Sequence, residues 1–308
     1  MTFPTIDLQT PNADALRNAC QEWGFFALRG HGVPADLLAD AEREIHAFFA
    51  LSAQEKNRIR RSAQNSWGYY DAELTKNRRD WKEIFDLGAP ATFGPLAGAT
   101  PQWPDAPGFR VSIDSLRTHL HRVALEVTDA IVATIDPQAQ VRTAFADHSS
   151  FLRVNFYPPC PNPAPADADF VPTEGELGIS HHTDAGAVTV LWQDDQPGLQ
   201  MYRNGAWQLV ESDPDELIIN IGDIVQVWSN DAYRAPLHRV LANDSKARYS
   251  IPYFLNPDYA YVYAPLGTAT PRYRGINWGE FRAGRSAGDY ADVGEEIQIS
   301  QYRIAADV

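Results

Sequence analysis

Cysteine is nearly absent from this chain, with two residues in 308. Cys20 and Cys160 therefore offer neither a disulfide framework nor a zinc knuckle. Positive charge is also short: 26 Lys and Arg stand against 40 Asp and Glu, a formal net charge of −14. That balance argues against nucleic-acid backbones and anionic membranes as partners, although it leaves room for a local basic pocket. No uncharged apolar run approaches the length of a membrane span. The opening MTFPTIDLQT lacks the basic and apolar regions of a signal peptide. Internal repeats and low-complexity tracts are missing as well. These absences lead to the expectation of a cytoplasmic protein in a reducing compartment, with no membrane or nucleic-acid partner.

What is present is the material of a core. Hydrophobic residues make up 44% of the chain, with eight Trp and fourteen Phe, so the chain is globular rather than disordered. Its length suits one large domain or two modest ones. In the first part, Phe3 to Leu8 is strand-like, Asp14 to Glu22 is helical, and WGFFALRGHGVP reads as a buried strand ending in a glycine-containing turn. From Pro34, the residues Leu38, Ala41, Ile45, Phe48 and Phe49 recur at helical spacing. Ser52 and Glu55 form a capping box for the next helix. A longer helix is expected from Ser112 to Ile135, with Leu116, Leu120, Val123, Val127 and Ile131 on one face. After Ser149 the pattern changes to strands. FLRVNFY alternates, and LQMYRNGAWQLV is a hairpin turning at Asn204-Gly205. LIINIGDIVQVWS reads as two apolar strands bent at Gly222-Asp223, and RYSIPYFL as another strand. The proline-rich stretch from Pro158 to Pro172 is a surface loop. Short strands following a helical front end point to a mixed α+β fold, an antiparallel barrel or jelly roll buttressed by helices.

Chemistry concentrates in GISHHTDAGAVTVLW, from Gly178 to Trp192. Strand side chains alternate between faces, so His182 and Asp184 share one face and His181 takes the other. If the cluster binds metal, the pair is His182 and Asp184. A single H-x-D is a weak signal, since a His beside an Asp often makes only a hydrogen bond. Further on, His238 follows after enough chain to circle a barrel and return. Arg248 and Ser250 again share one strand face. An inward arginine in an apolar barrel needs an anion, and its planar fork suits a carboxylate, with the serine hydroxyl adding a bond. Two histidines and a carboxylate leave open coordination positions, as in non-haem Fe(II) oxygen chemistry. The helical H-E-x-x-H of zinc hydrolases is absent. The remaining histidines read as surface or hydrogen-bonded core residues.

These motifs resemble the isopenicillin N synthase-like branch of the Fe(II)/2-oxoglutarate-dependent oxygenases. The resemblance rests on H-T-D-x-G-x-x-T from His182 to Thr189, H-R-V from His238 to Val240 and R-x-S from Arg248 to Ser250. It extends to N-x-Y-P-x-C from Asn155 to Cys160, to W…V…N-I-G-D from Trp207 to Asp223, and to ACQEWGFFALRGHGV and GYYDAELTKNRRDWKEIFDLG at the front. The family implies a double-stranded β-helix with helices packed outside. It further implies that His182, Asp184 and His238 bind Fe(II), and that Arg248 and Ser250 grip the distal carboxylate of 2-oxoglutarate. Tyr157 would help there, with Asn155 near the other end. The expected activity is oxidation of a small organic substrate by hydroxylation, desaturation or ring closure, with O₂ consumed, succinate and CO₂ released, and ascorbate as the reductant in vitro. Two alternatives stand beside it: an oxidase of the isopenicillin N synthase or aminocyclopropane oxidase kind that does not use 2-oxoglutarate, and a catalytically silent jelly-roll binding protein.

The resemblance divides the chain into an N-terminal region (1–110), a long helix and connection (111–148), the oxygenase core (149–265) and a C-terminal extension (266–308). These are expected to form one integrated unit, monomeric or weakly self-associating. Substrate contacts are expected outside the motifs. Arg153 shares a strand face with Asn155 and Tyr157, and Phe254 shares one with Ser250. Tyr69, Tyr70 and Lys76 come from the front segment that packs over the barrel mouth in the family. Arg153 has a competing role as the partner of an internal carboxylate.

Overall fold

The structure is a computed structural model that describes residues 2–76, 78–88, 98–211, 213–267, 269–290 and 297–305, so parts of the 1–110 and 266–308 segments lie outside the described residues. An eight-stranded sheet runs in the order Thr5–Asp7, Phe25–Arg29, Leu217–Ile221, Val188–Gln193, Arg248–Leu255, Phe151–Tyr157, Glu83–Gly88 and Gly68–Tyr70. A four-stranded sheet follows the order Ala206–Leu209, Leu199–Arg203, His238–Leu241 and Leu177–His182. Thr5–Asp7 pairs parallel with Phe25–Arg29, while the core strands pair antiparallel. Strands from the front of the chain thus complete the same large sheet that the later strands build. The architecture is mixed α+β, a jelly roll with helices outside.

Both faces of the large sheet are apolar, and strand alternation sorts them. Ile218, Leu191 and Tyr157 meet Leu199, Met201 and Val240 of the small sheet in one buried cluster, so the two sheets face each other. The alternate residues Leu217, Ile219, Val190, Trp192, Leu152 and Val154 pack the other way, against the helices. There the helix Pro107–Ile135 buries Leu116, Leu120, Val123, Val127 and Ile131, the expected stripe. It starts earlier than the expected Ser112, because Phe109 and Ile113 carry the same apolar stripe back another turn. Pro107 occupies the first turn, where its missing N–H costs no hydrogen bond, and Phe109 is fully buried. The capping box forms as expected: Glu55 N donates to Ser52 Oγ at 3.3 Å and Ser52 N to Glu55 Oε2 at 3.0 Å. Asn204 and Gly205 adopt positive φ at the hairpin turn.

One element differs from expectation. LIINI is the strand Leu217–Ile221, but DIVQVW is the helix Asp223–Trp228 and not a second strand. A six-residue, mostly apolar segment has no period long enough to separate a buried helix from a buried strand. Tertiary bonds decide it: Asp223 N donates to the Asp184 carbonyl at 2.8 Å and Ile224 N to the Gly186 carbonyl at 3.2 Å, which turns the chain out of the sheet. Gly222 permits this approach. A Cβ there would stand 2.2 Å from the Gly186 carbonyl oxygen and 2.9 Å from that of Asp184.

The proline-rich stretch is a loop held on the small sheet by Arg239, which is fully buried. Its guanidinium donates to the carbonyls of Ala166, Ala168 and Asp169 at 2.9–3.0 Å and lies 4.1 Å over the Trp207 ring.

Candidate active site

Between the two sheets lies a cavity of about 180 Å³. His182 and His238 sit opposite each other on neighbouring strands of the small sheet, which brings their rings to 4.3 Å between centroids. Asp184 lies beyond the end of its strand, Leu177–His182. It still faces His182 two residues past the end of the ladder, and the chain bends only from Ala185 onward. The Asp184 Oδ1 atom is 3.6 Å from His182 Nε2 and 3.7 Å from His238 Nε2. Among the described residues these three form the group of His, Cys, Asp or Glu that could hold a metal ion, with ligand atoms within 4.8 Å of one another.

The surroundings leave the right atoms for coordination. His182 Nδ1 donates to the Ser180 carbonyl at 2.8 Å and His238 Nδ1 to the Pro236 carbonyl at 3.1 Å, which directs both Nε2 lone pairs inward. Asp184 Oδ2 accepts from Thr189 Oγ1, and from Asn220 Nδ2 at 2.8 Å, so Oδ1 is the oxygen that faces the imidazoles. Burial, with the second imidazole beside it, pulls His182 well below the usual histidine range and keeps the ring neutral. Burial tends to raise Asp184, but the two imidazoles and the Asn220 and Thr189 bonds outweigh it and hold the carboxyl ionised. Two imidazole nitrogens and one carboxylate oxygen, converging without direct hydrogen bonds, fit a divalent ion with open positions.

Deeper in the cavity Arg248 is 1% exposed. Its Nη2 donates to Gln193 Oε1 at 2.6 Å and its Nε to the Gln196 carbonyl at 3.2 Å, while the guanidinium lies 5.1 Å over the Tyr157 ring. Nη1 is buried and has no hydrogen-bond partner in the protein, and the same holds for Asn155 Oδ1. Register places Tyr157 opposite Arg248 and Asn155 opposite Ser250, whose Oγ accepts from Asn155 Nδ2 at 3.3 Å. A buried cationic donor without a partner is costly. A carboxylate reaching Arg248 from the cavity would satisfy it, and all four of these side chains line that space.

Nearer the mouth the expectations divide. Phe254 lines the cavity and stacks on Phe151 at 4.7 Å between centroids. Arg153 also reaches the wall, but its guanidinium is spoken for. It donates to both oxygens of Glu73 at 2.7 Å, and to Asp86 at 2.7 and 2.8 Å. Lys82 joins Glu73 and Asp80 at 2.8 and 3.1 Å, and Arg61 joins Asp86 at 3.0 Å, which completes a buried network of three cations and three carboxylates. Burial works against the Glu73 carboxylate, yet Arg153, Lys82 and Arg61 hold it far below the usual range. The geometry thus favours internal pairing for Arg153 over a substrate contact. Arg153→Met is expected to leave two buried carboxylates undercompensated and to cost about 3–5 kcal/mol of stability. Denaturant unfolding measures this; a variant as stable as the parent that lost only substrate oxidation would restore the substrate contact.

Tyr69, Tyr70 and Lys76 do not line the cavity. Tyr69 is buried in the core and donates from its hydroxyl to Glu83 at 2.8 Å. Tyr70 lies against Arg60 and Arg61 at about 5 Å, and Lys76 is exposed in a turn at positive φ. The chain doubles back through the small hairpin Leu74–Thr75 and Arg78–Arg79, so Glu73, Leu74 and Thr75 face inward in their place. Thr189, Asn220, Gln193 and Arg285 were not singled out from sequence. Thr189 and Asn220 do stand in the motifs H-T-D-x-G-x-x-T and N-I-G-D, which was the available signal.

Comparison with known proteins agrees with this geometry. Residues 148–257 match the model of the 2OG-Fe(II) oxygenase superfamily, and residues 3–106 match that of the non-haem dioxygenase in morphine synthesis N-terminal region. The chain is 34% identical over 267 residues to an oxoglutarate-dependent flavonoid 7-O-demethylase of Ocimum basilicum, covering 83% of this chain and 68% of that protein. It is 32% identical over 304 residues to a gibberellin 3-beta-dioxygenase of Triticum aestivum, covering 90% and 77%. Among solved structures, JOX2 in complex with 2OG, Fe and JA superposes with a TM-score of 0.77 at 28% identity, over 92% of this chain and 84% of that one. The dioxygenase for auxin oxidation in rice superposes with a TM-score of 0.74 at 25% identity, over 98% and 100%. The chain belongs to the 2OG-Fe(II) oxygenase superfamily, and it is an Fe(II)- and 2-oxoglutarate-dependent dioxygenase that oxidises a small molecule.

Proposed function

We propose that His182, Asp184 and His238 carry the iron of this dioxygenase, and that Arg248 with Ser250 binds the distal carboxylate of 2-oxoglutarate. The observation that carries the reading is the pairing of a converging His–Asp–His cluster with a buried, unpartnered Arg248 Nη1 in one cavity. Iron bound there supplies the oxidising power that couples conversion of 2-oxoglutarate and O₂ into succinate and CO₂ to oxidation of a substrate C–H bond. The chain's own part is orientation and exclusion. The Nδ1 bonds fix each imidazole tautomer, and Thr189 and Asn220 stop Asp184 from rotating. Gln193 pins one edge of the Arg248 fork so that the other faces the cavity. Tyr157 stacks beneath it, and Asn155 offers its amide towards the other end of the co-substrate.

The Phe151–Phe254 pair and Pro252 form an apolar wall suited to a ring-bearing organic substrate. The motif set supports placing the chain in the isopenicillin N synthase-like branch. The eight-stranded sheet takes four strands from 1–110 and four from 149–265, which supports treating those two segments as one unit. Two free, buried cysteines accord with the cytoplasm. The test is an aerobic assay with Fe(II), ascorbate and 2-oxoglutarate, in which succinate forms and rises with a productive substrate. Oxygen consumption and substrate oxidation without any need for 2-oxoglutarate would favour the oxidase reading instead.

Because Asn220 holds the non-coordinating oxygen of Asp184, Asn220→Leu is expected to weaken Fe(II) binding by about 10–100-fold. Anaerobic equilibrium dialysis reads this directly, and undiminished affinity would remove Asn220 from the account.

A further inference from the structure

The C-terminal helix Trp278–Tyr290 lends Trp278, Arg282 and Arg285 to the cavity wall, positions that share one helical face. Arg285 reaches past the wall to the backbone of the metal cluster. Its side chain is 6% exposed. Nη2 donates to the Thr183 carbonyl at 2.7 Å. Nη1 donates to Gln298 Oε1 at 2.9 Å and to the Ile297 carbonyl at 3.4 Å. Asp223 Oδ2 lies 3.8 Å from Nη2.

Thr183 is the residue between His182 and Asp184, and its carbonyl belongs to the peptide unit that leads into Asp184. The next carbonyl, that of Asp184, accepts from Asp223 N at 2.8 Å. The strand ends at His182, so this turn has no ladder of its own to fix it. Two consecutive carbonyls are therefore held from outside, one by the helix that begins at Asp223 and one by Arg285. Thr189 and Asn220 fix the Asp184 carboxylate at its tip; Arg285 acts at its root.

We propose that Arg285 is a positioning residue of the metal centre. It holds the Thr183–Asp184 peptide so that Oδ1 faces both Nε2 atoms, and thereby ties iron retention to the docking of the C-terminal segment. This inference rests on the assignment of His182, Asp184 and His238 as the iron ligands. An arginine suits the task because its planar fork bonds in two directions at once. A lysine keeps its three donors on one compact ammonium nitrogen and does not reproduce the span between the fork's two terminal nitrogens.

The test uses the full chain, stripped of metal, as wild type, Arg285→Met, Arg285→Lys, Gln298→Leu and Asp184→Ala. Two quantities are read for each: the Fe(II) dissociation constant under anaerobic conditions, and the melting temperature with and without Fe(II). Arg285→Met is expected to bind Fe(II) about 10–100-fold more weakly, the range for lost outer-shell partners of metal ligands, and to gain less melting temperature from added Fe(II). Arg285→Lys should fall between it and wild type. Gln298→Leu loosens Arg285 without touching the turn, should fold if Arg285→Met does not, and should weaken binding by a smaller factor. If Arg285→Met melts lower but binds Fe(II) with wild-type affinity, or if Gln298→Leu is the variant that folds and its affinity is unchanged, Arg285 is only a structural tie and the proposal is overturned. If Asp184→Ala binds as tightly as wild type, the ligand assignment itself fails, and the inference fails with it.

Discussion

Alanine at His182, Asp184 or His238 is expected to abolish tight Fe(II) binding and turnover, whereas His181→Ala should leave most of both. The adjacent histidines differ in what they face. His182 Nε2 points to Asp184, with its Nδ1 already bonded to the Ser180 carbonyl. His181 turns outward: its Nδ1 bonds to the Phe170 carbonyl at 2.9 Å, and its ring lies against Phe170. Three protein ligands hold such an ion while leaving positions for co-substrate and O₂, so losing one removes a third of the anchoring set. Iron content after anaerobic dialysis, alongside succinate formation, distinguishes the variants. Iron lost from His181→Ala and kept by His182→Ala would reverse the assignment of faces.

Arg248→Lys is expected to raise the KM for 2-oxoglutarate by roughly one to two decades, with a much smaller change for the organic substrate. Lysine keeps the charge but cannot replace a fork that bonds Gln193 on one edge and presents Nη1 on the other. The loss of one charge-assisted bond is worth about 1.5–3 kcal/mol, and about 1.4 kcal/mol is tenfold in affinity. Steady-state kinetics with each substrate varied in turn separates the two constants. Equal rises in both would assign Arg248 to general integrity of the cavity, and no dependence on 2-oxoglutarate would return the oxidase alternative.

Much of the site was legible because strand alternation is a local rule. It placed Asn155 and Tyr157 on one face of Phe151–Tyr157, and Arg248, Ser250 and Phe254 on one face of Arg248–Leu255, and all of them line the cavity. The same rule aimed Arg153 inward but could not say that it arrives paired. Its partners Glu73 and Asp86 lie 80 and 67 residues away in sequence. Tyr69, Tyr70 and Lys76 lie off the cavity because the two tyrosines belong to the edge strand Gly68–Tyr70, paired with Glu83–Gly88, and Lys76 sits in the turn that follows Leu74–Thr75. Neither the pairing nor the turn carries a local period to read. The helix at Asp223–Trp228 was missed for a related reason: a six-residue segment with four apolar residues fits either element until contacts with Asp184 and Gly186 choose. Asp184 itself was assigned to the right face by an argument about a strand that ends two residues earlier. Arg285 lay beyond any local signal, since its bond to Thr183 spans 102 residues.

The most direct test of the account is a crystal structure of the protein soaked without O₂ in Mn(II), a redox-stable stand-in for Fe(II), and 2-oxoglutarate. The account predicts the ion on His182 Nε2, His238 Nε2 and Asp184 Oδ1. It also predicts the distal carboxylate of 2-oxoglutarate on Arg248 Nη1 and Ser250 Oγ. An ion bound elsewhere, or a co-substrate carboxylate that leaves Arg248 Nη1 without a partner, would contradict it.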